Sequence, residues 1–168
     1  MSSAQTRNAI LDEAGVKRKI KRMALEVAEQ NAGENEIIIA GIVGNGETVA
    51  RGVAKELRNL SKMSVQVVTI QLNKREPNEV SLQPSIDFRN KNILIVDDVA
   101  NTGKTLFFAL KPFLAISPKK IQTLALVERS HKLFPIQTDY TGLSIATTLQ
   151  EHIAVETEGE TIKGAWLY

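Results

Sequence analysis

Two adjacent carboxylates, Asp97 and Asp98, follow an apolar run in the stretch ILIVDDVANTGKTLFFAL, Ile93 to Leu110, and a threonine-glycine turn comes directly after them. These residue types offer two complementary kinds of recognition. Carboxylates at the end of a strand accept hydrogen bonds from a sugar's vicinal hydroxyls, or hold a hydrated Mg²⁺ directly or through water. The backbone N–H groups that open a helix, with the hydroxyls of Thr102 and Thr105, form a cup for a phosphate monoester, and helix-end attraction typically contributes about 0.3–1 kcal/mol. Gly103 lets the backbone approach closely. Val99, Ala100, Asn101 and Lys104 complete the stretch. Acids on one side and amides on the other suit a ribose that carries a 5-phosphate.

Three other chemistries share parts of this pattern. A P-loop, Gly-x-x-x-x-Gly-Lys-Ser/Thr, requires a glycine at position 98. Asp98 stands there, and its charge would repel the phosphate the loop encloses. A phosphorylated receiver domain needs its acid pair at the end of the first strand, but two strand-helix units precede Asp98, and the candidate phosphoacceptor Asp139 follows a proline-containing loop. The turn GIVGNG, with Val43, Gly44, Asn45 and Gly46, has its glycines in the order Gly-x-x-Gly-x-Gly, not the dinucleotide-binding Gly-x-Gly-x-x-Gly.

Positioning these groups takes strands and helices in alternation. Apolar residues recur at helical spacing from Asp12, a candidate N-cap, to about Gln30, and again over ETVARGVAKELRNL, where Val49, Val53, Leu57 and Leu60 share a stripe. Between them EIIIAGI has the continuous apolar character of a buried strand, and VQVVTIQL, NILIV and IQTLALV predict three more. The polar stretch NKREPNEVSLQPSIDFRNKN, with two prolines and neither period, reads mostly as a mobile loop over about residues 73–90. TGKTLFFALKPFLAI predicts a helix, with Pro112 forcing a kink or a stop. From Glu128 onward the chain reads as loops and short strands such as HIAVE and IKGAWLY. Alternating strands and helices imply an α/β architecture, a mostly parallel sheet flanked by helices on both faces, with ligands at the carboxyl ends of the strands. The glycine turn and the acid pair then share that edge.

Composition sets the remaining limits. At 168 residues the chain is read as one domain, residues 1–168, burying about two-thirds of its unfolded surface. Absence of cysteine excludes disulfides, thiolate metal sites and cysteine nucleophiles, and suits a reducing cytoplasm. MSSAQTRNAI lacks the pattern of a secretory leader, and the longest apolar run, IIIAGIVG, falls far short of the roughly 20 residues of a membrane span. The expectation is a cytoplasmic protein with no membrane partner. A net charge of +2 is too small to imply nucleic acid by itself. VKRKIKR is read first as the solvated face of a helix whose opposite stripe holds Val16, Ile20, Met23 and Val27, with RNA contact as the alternative.

ILIVDDVANTGKT resembles the ribose-phosphate signature of the type I phosphoribosyltransferases, and LVERSHKLFPIQTDYTG is similar to LVDRGHRELPIRADYVG, typical of the PyrR group. That group combines pyrimidine-operon attenuation with uracil phosphoribosyltransferase activity. The similarity runs from LDEAGVKRKIKRMALEVAEQN to IKGAWLY. It implies the type I phosphoribosyltransferase fold with a small hood partly from 128–168, Mg²⁺ as cofactor, and a homodimer or homotetramer. It also implies transfer of ribose 5-phosphate from phosphoribosyl pyrophosphate to a nucleobase, uracil first, giving a nucleoside monophosphate and pyrophosphate. Asp97 and Asp98 would face the ribose and the metal, and Ala100 to Thr105 would wrap the 5-phosphate, with Val99 also against the substrate. Where relatives have GIKTRG, GIVGNG puts Asn45 in place of arginine. Where they have a longer loop beginning LYRDD, LNKRE leaves Lys74 or Arg75 as catalytic cations on the pyrophosphate. Arg129, His131 and Phe134 would lie near the base. A phosphoribosyl pyrophosphate or nucleotide sensor without turnover, and an RNA-binding regulator, are the alternatives this resemblance leaves open.

Overall fold

The computed structural model describes residues 6–168, so the first half of the segment read for a leader lies outside it. Among the described residues nine strands and four helices follow in order. Strand β1 (Asn8–Asp12) leads into helix α1 (Glu13–Gln30), whose N-cap Asp12 accepts a 2.6 Å hydrogen bond from the Gly15 N–H. Strand β2 (Glu36–Ile42) and helix α2 (Asn45–Leu60) form the first strand-helix unit. Strand β3 (Ser64–Leu72), strand β4 (Val80–Gln83) and strand β5 (Asn92–Ala100) follow. Helices α3 (Lys104–Ala109) and α4 (Lys111–Leu114) precede strand β6 (Lys120–Arg129), and strands β7 (Tyr140–Ile145), β8 (Ile153–Glu158) and β9 (Thr161–Leu167) close the chain.

A six-stranded sheet in the order β4-β3-β2-β5-β6-β7 carries both cores, and every pairing in it is parallel except that of the edge strand β4. Alternation within β2 and β5 divides their apolar residues between the faces. Ile37, Ile39, Leu94 and Val96 pack under α1 and α2, whereas Ile38, Ala40, Ile42, Ile93 and Ile95 pack with Leu106, Ala109 and Phe113 of α3 and α4. Covering on both faces explains why these strands read as unbroken apolar runs. A separate three-stranded sheet, β1-β9-β8, joins the first core through Leu11, Val155, Ile162 and Ala165.

The structure adds strand at three places beyond the sequence reading. Residues 73–90 are not irregular throughout: Val80–Gln83 pairs antiparallel with Thr69–Leu72, a four-residue strand whose polar flanks hide its period. β5 continues past Val96 through the acid pair to Ala100, because β6 offers it a parallel partner as far as Glu128. β1 is missed altogether, since its pairing with β9 is set by the far end of the chain. Pro112 behaves as expected: the predicted single helix is interrupted after Ala109, and Pro112 sits in the first turn of α4, where its missing N–H costs nothing.

The sheet order reverses direction between β2 and β5, and ligands of such sheets bind outside the carboxyl ends at that switch. The turn after β2, the start of the segment after β3, the end of β5 and the segment after β6 all lie at this edge.

Candidate active site

Asp97 and Asp98 are both buried, at 1% and 9% relative exposure. The Asp97 carboxylate folds back to accept the Asp98 N–H at 2.9 Å, which brings the two acids together although neighbours on a strand ordinarily face opposite sides. The Lys74 ammonium lies across the pair, 3.2 Å from Asp97 Oδ1 and 3.5 Å from Asp98 Oδ1. Burial first, then repulsion from Asp98, pushes the Asp97 pKa well above the ordinary carboxylate value, with Lys74 acting in the other direction. Desolvation works to lower the Lys74 pKa, but attraction to Asp97 and then Asp98 outweighs it and leaves the ammonium more firmly protonated than usual. Gly46 makes room for this arrangement, since a Cβ there would stand 3.1 Å from Asp97 Oδ1.

Immediately beyond, Asp97 and residues 99–106 line a cup of ≈ 50 Å³, room for a group of a few heavy atoms such as one phosphate. Its walls are peptide groups. The Lys132 ammonium is 3.3 Å from each of the Ala100 and Asn101 carbonyls, and the Thr102 carbonyl accepts from the Leu133 and Phe134 N–H groups at 2.9 and 3.2 Å. In a trans peptide the N–H points opposite to the C=O. Because three consecutive carbonyls face the 132–134 segment, the N–H groups of Asn101, Thr102 and Gly103 face away from it, on the side of the cup. Successive amides converging on one space form an anion-binding nest. Thr102 Oγ1 accepts the Lys104 N–H at 3.3 Å, leaving its own O–H free to donate. Gly103 is left-handed at φ 88, and a Cβ there would meet Ile136 Cγ2 at 2.9 Å, so both the turn and the overlying segment require glycine.

Two larger hollows, of ≈ 780 Å³ along β3 and β4 and ≈ 580 Å³ between α1, α2 and the β8–β9 turn, do not include the acid pair. The acid pair and the cup beside it offer acceptors for hydroxyls next to donors for an anion, an arrangement that could bind a phosphorylated polyol.

A phosphoribosyl transferase domain model matches residues 6–158. The chain belongs to that family. It is 35% identical to the bifunctional protein PyrR of Clostridium novyi over 159 residues, 89% of each chain. It is 32% identical to that of Staphylococcus carnosus over 163 residues, 89% of this chain and 93% of that one. Among solved structures, a hypoxanthine-guanine phosphoribosyltransferase from Bacillus anthracis superposes with a TM-score of 0.71 at 21% identity, covering 82% of each chain. The hypoxanthine phosphoribosyltransferase of Trypanosoma cruzi gives 0.72 at 16% identity, covering 83% of this chain and 82% of that one. At those identities the structural likeness shows the fold, that of the type I phosphoribosyltransferases.

In this phosphoribosyltransferase the residues singled out in the sequence are only partly brought together. Asp97, Asp98, Lys74 and the 99–105 stretch converge. Arg75 does not join them: its side chain is exposed, and its N–H is held by Asn73 Oδ1 at 3.0 Å. In the turn at 43–46, the Asn45 side chain points to the small sheet, donating to the Val155 carbonyl at 2.8 Å and accepting from Thr157 Oγ1 at 3.2 Å. Val43 N–H pairs with the Ile70 carbonyl, and Gly44 is exposed at φ 93. Arg129 is buried as a brace, bonded to Asn101 Oδ1 at 3.3 Å and to the Thr148 carbonyl, so its guanidinium is not open to stack on a base. His131 is exposed. Phe134 lies 5.6 and 6.3 Å, ring to ring, from Phe107 and Phe108.

Lys132 and Glu128 are the residues that sequence reasoning missed. Their Nζ and Oε1 atoms are 3.2 Å apart, and the only trace in the sequence is a pair of opposite charges four positions apart, in a segment with no helical pattern to make that spacing meaningful.

Proposed function

We propose that this phosphoribosyltransferase transfers ribose 5-phosphate from phosphoribosyl pyrophosphate to uracil, with release of pyrophosphate. The amide nest beside a buried acid pair is the observation that carries the reading, and the similarity to PyrR proteins supports uracil as the base. In this reading the amides of residues 101–103 and of Thr105, with the Thr102 and Thr105 hydroxyls, hold the 5-phosphate, and Asp97 and Asp98 accept hydrogen bonds from the ribose hydroxyls.

As the bond from C1 to pyrophosphate lengthens, positive charge grows on the sugar and negative charge on the leaving group, so positioning and cationic contacts lower the barrier more than a nucleophile would. Lys74 follows β3 by two residues and is the cation nearest the acids. Sugar hydroxyls arriving at Asp97 and Asp98 would displace its ammonium, and closure of the 73–79 segment would carry it to the leaving pyrophosphate while excluding water. Backbone N–H groups of the 43–46 turn remain available to the same pyrophosphate.

Two carboxylates held apart from water and compensated by a single ammonium fit Mg²⁺, which uses one or two carboxylates and completes its shell with waters and substrate oxygens. Asp97 and Asp98 would hold it, directly or through water, and when bound it neutralises charge on the pyrophosphate.

Pyrophosphate release with phosphoribosyl pyrophosphate and Mg²⁺, measured over a panel of purine and pyrimidine bases, tests the reaction. Uracil should give the highest kcat/KM; a purine in first place would replace the base assignment while keeping the reaction. A second reading has its own support. The 43–46 turn carries no cationic side chain, and Asn45 is committed to the small sheet, which suits a sensor that binds phosphoribosyl pyrophosphate without turnover. Tight binding with no product from any base would establish it. RNA is a proposed partner through the exposed Lys17, Arg18 and Lys21 on α1, to be tested by the salt dependence of binding to a pyrimidine-leader transcript.

A further inference from the structure

Behind the cup, on the side away from its amides, the Lys132 ammonium is surrounded by four oxygens from two separated segments. The Ala100 and Asn101 carbonyls are each at 3.3 Å, the Arg129 carbonyl at 3.4 Å and Glu128 Oε1 at 3.2 Å. An ammonium has three donors and no preferred plane, so it can hold several carbonyls whose directions differ. Glu128 is itself held in place: its Oε2 accepts from Thr141 Oγ1 at 3.2 Å, and that hydroxyl lies 2.6 Å from Thr138 Oγ1. The chain from Thr138 through Thr141 and Glu128 to Lys132 runs from the edge strand β7 to the back of the loop.

We infer that Lys132 is a positioning residue for phosphoribosyl binding, which acts by fixing the peptide planes that follow Ala100 and Asn101 so that the N–H groups of Asn101 and Thr102 face the 5-phosphate. This rests on the proposed phosphoribosyl site and deepens it. Lys132 does not line the cup. It reaches a ligand only through the peptides it orients. Backbone rotation about Val99 to Thr102 would otherwise turn those carbonyls toward the ligand and place like partial charges against an anion. The ammonium also adds positive charge along the same peptide dipoles.

Full-length wild type, Lys132→Met, Lys132→Arg and Glu128→Gln are to be titrated with ribose 5-phosphate and with inorganic phosphate, and assayed for KM and kcat. Lys132→Met should raise the Kd for ribose 5-phosphate and the KM for phosphoribosyl pyrophosphate about tenfold, the weight of one charge-assisted contact. Its kcat at saturation and its KM for the base should stay within about twofold, and Lys132→Arg should recover most of the loss because the charge returns. Glu128→Gln should show a smaller loss in the same direction, and serves as the comparison if Lys132→Met does not fold. Unchanged phosphate affinity in both Lys132→Met and Glu128→Gln, beside a wild type that binds, overturns the inference alone. Equal losses in base KM and phosphoribosyl pyrophosphate KM, without recovery in Lys132→Arg, overturn it in favour of a general packing brace. A wild type that binds neither probe overturns the site itself.

Discussion

Replacing Asp97 by asparagine should make the protein more stable at neutral pH while removing its ligand binding. Asparagine has the same shape and can still accept the Asp98 N–H, now made at 2.9 Å. What it removes is a carboxylate 1% exposed and pressed against Asp98, relieved only by Lys74 at 3.2 Å. The raised pKa fixes the sign. An unfolded Asp97 ionises near its ordinary 3.8, whereas the folded one holds its proton to higher pH. Stability from this group is complete below 3.8 and is lost as pH rises to the folded value, because only the unfolded chain gives up the proton over that range. Every tenfold weakening of the acid on folding corresponds to about 1.4 kcal/mol. Lys74 keeps Asp98 as a partner in the variant, but the asparagine puts an amide N–H₂ into the same buried space at a cost of about 1–3 kcal/mol, so the net gain of Asp97→Asn at pH 8 should be about 1–2 kcal/mol, or about 2–8 °C in Tm for a chain of this size. Thermal unfolding of both proteins with a chelator present, followed from about pH 4 to about pH 9, measures it. The advantage of Asp97→Asn should vanish near the acid end and grow toward the alkaline end. A variant no more stable than wild type anywhere in the range would show that Lys74 fully compensates the acid, and would refute the reasoning.

Gly103→Val should cost about 1–3 kcal/mol for its left-handed backbone, and should abolish phosphate binding as its side chain meets Ile136; chemical denaturation with a parallel phosphate titration checks both. Lys74→Met should lower kcat about a hundredfold, the scale seen when one preorganised donor to developing charge is lost, with the KM for the base unchanged; steady-state pyrophosphate release would expose the error if kcat stayed at the wild-type value. Arg129→Leu should lower stability by about 1–3 kcal/mol, because Asn101 Oδ1 and the Thr148 carbonyl lose their donor; an unchanged denaturation midpoint would mean the brace is dispensable.

The strand-helix alternation was legible because α1, α2, β2 and β5 are each specified by their own apolar pattern. Asp12, for example, caps α1 where the sequence puts it. β1 and β4 were not, since each exists by pairing with a strand whose position depends on the whole fold. At the site, residues contiguous in sequence were found and residues joined by tertiary contacts were not. Asp97 to Thr105 lie on one strand-turn-helix, so their shared edge follows from local structure. The contact of Lys74 with the acids follows from the neighbouring positions of β3, β2 and β5, and it came through only as one of two candidate cations in a loop. Asn45 and Arg129 carry side chains that could serve a ligand, and their commitment to Val155, Thr157 and Thr148 is decided by where the small sheet and the 146–152 segment pack. Lys132 shows the same limit from the other side: nothing local distinguishes it from a solvated lysine.

A crystal structure of the protein grown with phosphoribosyl pyrophosphate and Mg²⁺ tests most directly whether the acid pair and the amide nest are one site. The 5-phosphate should lie within hydrogen-bonding distance of the amides of residues 101–103 and of Thr105, with the ribose hydroxyls at Asp97 and Asp98 and the Lys74 ammonium displaced from the pair. A sugar phosphate bound elsewhere, or a nest filled while Lys74 still bridges both carboxylates, would contradict the account.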